Sequence, residues 1–202
     1  KIQEDDLSRK VVLSLILAIF AFTLDSFAFT KGPGDKVDDF TISNYDGKSY
    51  NLADALKSSN TGVIVMFWSS ECPFVQPYND RINDYVKEYT EKGFTVWAIN
   101  SNNTETTDAV KEHAQSKGYS FPMLKDNNNV VADIFGSTRT PEVFVINKDQ
   151  TVLYHGRISD NKSAAEQSSH DLKNAVDEIS SGKDVTVKET KSFGCGIKRV
   201  EK

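Results

Sequence analysis

Gly62-Val63-Ile64-Val65-Met66-Phe67-Trp68-Ser69-Ser70-Glu71-Cys72-Pro73 is the stretch on which the fold turns. Its first part is an unbroken apolar run, rich in β-branched residues and without polar alternation. Such a run predicts a strand covered on both faces of a sheet. The run stops at two serines, a glutamate, a cysteine and a proline. Pro73 suits the first turn of a helix, where a missing N–H costs nothing. Val75, Tyr78, Ile82, Tyr85, Val86 and Tyr89 then recur at three- and four-residue spacing, which predicts a helix that Gly93 stops.

Working outward, Phe94 to Ile99 reads as a second strand and Thr104 to Lys117 as another helix, with a short extended piece at Phe121 to Leu124. Phe144-Val145-Ile146 and Val152-Leu153-Tyr154, separated by the polar segment 147–151, read as a hairpin. A last helix is expected from about Ala164 to Ile179, ahead of a polar tail. On the N-terminal side, Phe40, Ile42 and the turn Tyr45-Asp46-Gly47-Lys48 predict a small hairpin, with a helix beginning near Leu52. The clusters 100–103 and 127–129 read as turns, and His155 beside Gly156 as solvent-facing. The order of elements predicts an α/β domain: a mixed central sheet with helices on both faces.

The 202 residues suffice for one globular domain with a proper core. With 24 basic against 29 acidic residues and no basic block, nothing offers a phosphate backbone a footing, so nucleic acid is not an expected partner. The first thirty residues differ from the rest. Arg9 and Lys10 precede the apolar run Val11 to Phe22, and Ser26-Phe27-Ala28 supplies small residues before a cleavage point. We read residues 1–28 as a secretory signal peptide; the alternative is an uncleaved anchor using residues 11–22. The apolar run falls short of the ~20 residues a spanning helix needs, which favours cleavage. Either way the expected location is extracytoplasmic: periplasmic, secreted or held at a membrane. Lys31-Gly32-Pro33-Gly34-Asp35 is turn chemistry marking the start of the folded domain, taken as residues 32–182. A tail, residues 183–202, follows.

That tail carries Cys195, which with Cys72 makes up the chain's cysteine content. One pair allows one disulfide and no stapled scaffold. His113, His155 and His170 are scattered and neither cysteine has zinc-ligand spacing, so no metal and no cofactor is expected. A cysteine between a buried strand and a helix lies near unpaired backbone N–H groups and the positive end of the helix dipole, both of which favour thiolate. Glu71 opposes them if its carboxylate lies close. Cys72 is therefore either a nucleophile or a small buried hydrophobe, and the junction favours the nucleophile. Trp68 is either a pocket wall or core, and Pro141 an ordinary strand-entry residue unless more is known.

Three separated motifs carry a resemblance: Phe67-Trp68-Ser69-Ser70-Glu71-Cys72-Pro73, then Thr140-Pro141-Glu142-Val143-Phe144-Val145-Ile146, then Tyr154-His155-Gly156-Arg157-Ile158. Together they resemble the thioredoxin-like redoxin superfamily, in its peroxiredoxin-like branch related to alkyl hydroperoxide reductases. Phe193-Gly194-Cys195-Gly196-Ile197-Lys198 is similar to the Gly-Cys-x-Ile-Lys ending of such proteins. The resemblance implies a thioredoxin-like fold, a nucleophilic Cys72 after the central strand, and a cis-proline loop at Thr140-Pro141 packed against it. It also implies Ser69 as a hydrogen-bonding hydroxyl and Arg139 as an activating cation unless it is a solvated surface residue; Trp68, Pro73 and Phe74, which flank the cysteine, are the candidate substrate-binding residues.

Departures from the pattern narrow the chemistry. Val75 stands where a thioredoxin has its second cysteine, and Met66 where it has its buried acid. Of the peroxiredoxin Pro-x-x-x-Thr/Ser-x-x-Cys pattern, Ser69 and Cys72 are present and the proline is replaced by Val65. The segment Cys72-Pro73-Phe74-Val75-Gln76-Pro77 also resembles the loop of respiratory copper chaperones. Gln76 takes the place of the second thiolate there, and Cu(I) loses a principal soft ligand. Cys195 then decides the mechanism. It is a resolving thiol if Cys72 is oxidised and condenses with it, or a permanent staple for the tail. The expectation is an exported thiol oxidoreductase acting on a peroxide or a protein thiol or disulfide and recycled by an external dithiol. Its rival is a non-catalytic binding module with a structural Cys72–Cys195 disulfide.

Overall fold

The structure is a computed structural model that describes residues 29–201. The leader, whether signal peptide or anchor, lies outside the described residues. At the centre is a five-stranded mixed sheet. Strand β3 (Gly62–Phe67) runs parallel to β4 (Phe94–Asn100) and antiparallel to β7 (Glu142–Asn147). Strand β5 (Met123–Lys125) adds beyond β4, and β8 (Val152–Gly156) beyond β7, in the order β5-β4-β3-β7-β8. A small antiparallel pair, β1 (Thr41–Ser43) and β2 (Ser49–Asn51), forms the expected N-terminal hairpin.

The absence of alternation in β3 has a simple cause. Ile64 and Met66 enter one core layer, with Val143, Val145 and Tyr154, and Val63, Val65 and Phe67 enter the other, with Trp97, Ile99 and Phe144. Every residue of β3 is fully buried. Helix α1 (Leu52–Ser58) and helix α4 (Val130–Phe135) cover the second layer. Helices α2 (Ile82–Glu91), α3 (Thr107–Ser116) and α5 (Asp171–Ser180) cover the first. This is the thioredoxin-like α/β arrangement the sequence implied.

Four sequence expectations need correction. The helix after Cys72 does not begin at Pro73: residues 73–75 form turns, Gln76–Tyr78 make a single 3₁₀ turn, and α2 starts only at Ile82. Pro77 is the reason, since it has no N–H to return to the Pro73 carbonyl and a helix cannot run through it unbroken. The helix expected at Thr104 starts at Thr107, because the Thr106 side chain accepts from the Ala109 N–H and caps it there. The last helix is split into a 3₁₀ turn at Ala164–Glu166 and α5, with Asp160 holding the Ser168 backbone and hydroxyl between them. Finally, α4 follows Asn129 directly, where the sequence predicts only a turn. Asn128 and Asn129 both take left-handed backbone, which asparagine tolerates, and so turn the chain into the helix.

Candidate active site

The carboxyl ends of β3 and β4 and the amino end of β7 meet at one edge of the sheet, and the site is built there. The Trp68 N–H donates to the Ile99 carbonyl at 2.9 Å, extending the β3–β4 ladder by one residue. From that point the chain leaves the sheet through Ser69, Ser70 and Glu71. Cys72 then turns back under the protein with only 1% of its surface exposed. Its carbonyl accepts from Val75 and Gln76, so the cysteine begins a tight turn instead of an α-helix.

A buried carboxylate shapes the turn. Glu105 accepts from the Ser69 hydroxyl at 2.6 Å, from the Ser70 N–H at 2.9 Å, from the Ser70 hydroxyl, and from the Asn102 amide at 2.7 Å. Burial alone would raise the Glu105 pKa, but these four bonds overcome it and hold the carboxyl below its ordinary range. Ser69 is thus committed to Glu105, and the bonds it makes do not reach Cys72. Lys125, also buried, donates to the Asn102 carbonyl at 2.6 Å and steadies the same loop from beneath.

The cysteine faces Thr140. The Cys72 thiol donates to the Thr140 carbonyl at 3.2 Å, and the Thr140–Pro141 peptide is cis. Residues Arg139–Thr140 form a short strand, β6, paired antiparallel with β9 (Cys195–Gly196). In that pairing Cys195 lies directly opposite Thr140, and its thiol meets that of Cys72. Both cysteines are free. Burial first, and then the hydrogen bond and charge of Cys72, push the Cys195 thiol up to about 11, with the Phe74 backbone and Lys198 pulling the other way.

The tail that delivers Cys195 is a strap across the molecule. It starts beside β8, where the His155 N–H donates to the Lys188 carbonyl and the Thr190 N–H to the His155 carbonyl, both at 3.0 Å. It crosses the cis-proline loop through β9 and the Ile197 N–H to Thr138 carbonyl bond, then ends against the loops after β4 and β5. There Lys198 bonds Asn102 and Asn103, Val200 bonds Asn129, and Arg199 pairs with Asp133. Two glycines permit the close approach. A Cβ on Gly194 would stand 2.0 Å from the Thr140 carbonyl oxygen, and one on Gly156 would stand 2.1 Å from the Thr190 hydroxyl; both residues have φ near +150°. Any side chain at Gly194 collides with the Thr140 carbonyl, directly beside the position where Cys195 pairs with Thr140.

The other expected site residues divide. Trp68 is fully buried and belongs to the core. Pro73 is exposed beside the cysteine, whereas Phe74 packs edge-on against Phe193 at 6.1 Å and so helps hold the strap. Arg139 is exposed, one residue before the buried Thr140 on a strand, so the two side chains project to opposite faces. It lines an open cleft with Glu142, His155 and Glu189. Among the described residues no cation is hydrogen-bonded to Cys72, and no cluster fit to hold a metal ion occurs.

The sequence does not single out Glu105 and Glu142 as site residues, and its reading of His155 needs correction. His155 is buried instead of solvent-facing, because the strap covers it and Glu142 reaches it from β7. Glu142 accepts from His155 Nε2 at 2.9 Å, from the Ser137 hydroxyl at 2.6 Å and from the Thr138 N–H at 3.1 Å, tying down the segment that leads into Pro141. A signal was available: Glu142 heads an otherwise apolar strand, and a charge at such a position needs a partner.

A buried cysteine at the end of the central strand, a cis-proline loop against it and a second cysteine set across that loop define an oxidoreductase of the thioredoxin-like class. The chain belongs to the AhpC/TSA family, whose model matches residues 33–155. It is 27% identical over 151 residues to the thiol-disulfide oxidoreductase ResA of Bacillus thuringiensis subsp. konkukian, an alignment covering 73% of this chain and 84% of that protein. Among solved structures, a hypothetical protein of Sinorhizobium meliloti 1021 matches with a TM-score of 0.78 and 31% identity, over 86% of this chain and 98% of the other. A putative thiol:disulfide interchange protein DsbE from Chlorobium tepidum matches with a TM-score of 0.54 and 25% identity, over 62% of this chain and 85% of the other.

Proposed function

We propose that the protein is a thiol–disulfide oxidoreductase that works with a cysteine pair split between the body of the fold and its tail. Cys72 is the entry nucleophile and Cys195 the resolving thiol. The observation that carries this reading is the β6–β9 register, which sets Cys195 opposite Thr140 and against Cys72. The relatives named for thiol–disulfide exchange point to the same chemistry.

In the first step the Cys72 thiolate attacks one sulfur of a substrate disulfide, whose other sulfur leaves as a thiolate. Cys195 then gives up its proton and attacks Cys72 Sγ, forming the Cys72–Cys195 disulfide and releasing the reduced substrate. An external dithiol returns the pair to two thiols. The order of events follows from the site. Two of the influences that raise the Cys195 pKa, the hydrogen bond and the charge of Cys72, vanish once Cys72 is joined to substrate. Burial, the largest influence, remains, so this step eases the deprotonation of Cys195 without removing its cost. Among the described residues the buried Thr140 hydroxyl has no hydrogen-bond partner, and since the carbonyl of the same residue accepts from Cys72 we assign to it the thiolate-donor role expected of Ser69.

One observation favours a second oxidant. Cys72 is 1% exposed, so the site has to open less for a small oxidant such as a peroxide than for a protein disulfide. In that cycle the thiolate attacks a peroxide oxygen, giving Cys72 sulfenic acid and an alcohol or water. Cys195 then displaces water to form the same disulfide. The reading includes export, with residues 1–28 as leader and 11–22 as its apolar segment, since an oxidising compartment is where protein disulfides persist. Among the described residues no helix is long and apolar enough to cross a membrane.

The Cys195→Ser variant separates the two oxidants. Incubated with a disulfide-bonded protein it accumulates a mixed disulfide at Cys72, and with hydrogen peroxide a sulfenic acid, both read by intact mass. Neither species forming at Cys72 would overturn the proposal.

A further inference from the structure

His155 is a buried titratable group that bonds both Glu142, next to the cis-proline, and Glu189 of the strap, and the exchange chemistry does not use it. Its Nε2 meets the Glu142 carboxylate at 2.9 Å and its Nδ1 meets that of Glu189 at 3.2 Å. Glu142 belongs to β7 and is 4% exposed, while Glu189 belongs to the strap and its side chain is 62% exposed. The ring stacks on Phe144, with centroids 4.5 Å apart, so it cannot turn away from either carboxylate without losing that contact. The remaining charges facing this corner are Arg139 from β6 and Lys191 from the strap, which line the same open cleft.

A neutral imidazole has one N–H and one lone pair, and an imidazolium has two N–H groups. With a carboxylate at each nitrogen, only the charged ring satisfies both. On deprotonation the proton stays on the side of the buried Glu142, and Nδ1 turns a lone pair towards Glu189, which can swing into water. We propose that His155 is a positioning residue for Cys195: its protonated ring clips the strap to the cis-proline loop through Glu189 and Glu142, and loss of that proton loosens residues 188–192. The proposal rests on the reading of Cys195 as the resolving thiol.

The direction with pH follows by linkage. Burial works against charge on the ring, but Glu142 and then Glu189 overcome it and hold the His155 pKa above its ordinary 6.5. A group whose pKa is raised in the docked state favours docking while protonated. The clip is complete below pH 6.5 and is lost as pH rises through the raised value.

Hydrogen exchange of the full chain in its reduced state tests this, with protection of the peptides spanning 186–198 corrected for intrinsic exchange. In the wild type, protection falls between about twofold and about fivefold from acid to alkaline pH, the range that one partly exposed ion pair supplies. Glu189→Gln, at an exposed position, flattens that dependence while the Glu142–His155 pair stays in place, and His155→Gln flattens it too. Equal wild-type protection at both pH values, or the full slope persisting in Glu189→Gln, would overturn the clip. Intact mass of the same samples after oxidation keeps the two readings apart. A pH-dependent strap without a Cys72–Cys195 disulfide supports the clip and overturns the exchange reading. A disulfide with a pH-independent strap does the reverse.

Discussion

Cys72→Ser is expected to abolish thiol–disulfide exchange, lowering the rate by on the order of 10³-fold or more, as removal of a covalent nucleophile does. Exchange needs a polarisable sulfur that attacks, bonds and leaves, and a serine hydroxyl at neutral pH does none of these. The fold is expected to survive. Cys72 contributes one buried sulfur and one bond to the Thr140 carbonyl, which a serine hydroxyl also makes. Stopped-flow reduction of a disulfide substrate, with circular dichroism as the folding control, checks the prediction. Retention of a tenth or more of the wild-type rate would mean that another residue carries the chemistry.

The largest expected effect on stability lies at a residue that carries no chemistry. Glu142→Ala leaves the Ser137 hydroxyl, the Thr138 N–H and the His155 ring without their shared acceptor. Breaking a buried charged pair by removing one partner costs about 3–5 kcal/mol. At about 2–4 °C per kcal/mol for a domain of this size, the melting temperature falls by roughly 10 °C. The effect depends on pH in a stated direction. Burial alone would raise the Glu142 pKa, but the bonds from His155, Ser137 and Thr138 hold it below the usual 4.5. Its contribution is therefore present above pH 4.5 and lost as pH falls through the lowered value. Melting curves of wild type and variant are expected to converge in acid. A variant that melts within 2 °C of wild type at neutral pH would show that the loop before Pro141 is held by something else.

How far the sequence could be read depended on whether a feature was local. Residues 62–68 announced the central strand because both faces are covered and nothing polar interrupts the run. The β7–β8 hairpin was legible for the same reason, with a polar turn between two apolar segments. Over residues 73–81 periodicity predicts a helix that does not form, because period alone cannot see Pro77 cutting the run that Val75 and Tyr78 otherwise continue. Helix α4 was missed because it spans only Val130–Phe135 and takes its support from the core.

Within the site, Cys72 and Pro141 stood at marked positions, but the partners of Glu105 and Glu142 lie far along the chain or depend on how loops stack. Ser69 shows the difference. Its type and spacing suit a hydroxyl for the sulfur, yet a carboxylate 36 residues away claims it. His155 looked solvent-facing because its cover, Glu189, comes from a strap that no periodicity announces.

The central claim, that Cys72 and Cys195 form one redox pair, is tested most directly by oxidising the pre-reduced protein with a stoichiometric disulfide or peroxide and mapping its thiols by mass. The account predicts loss of two hydrogens from the monomer and a single linked peptide joining Cys72 to Cys195, reversed by a dithiol. It also predicts that Gly194→Ala slows this step, because the strap no longer reaches the Thr140 carbonyl. Cys72 reacting no faster than free cysteine, or linking between molecules and leaving Cys195 reduced, would contradict it.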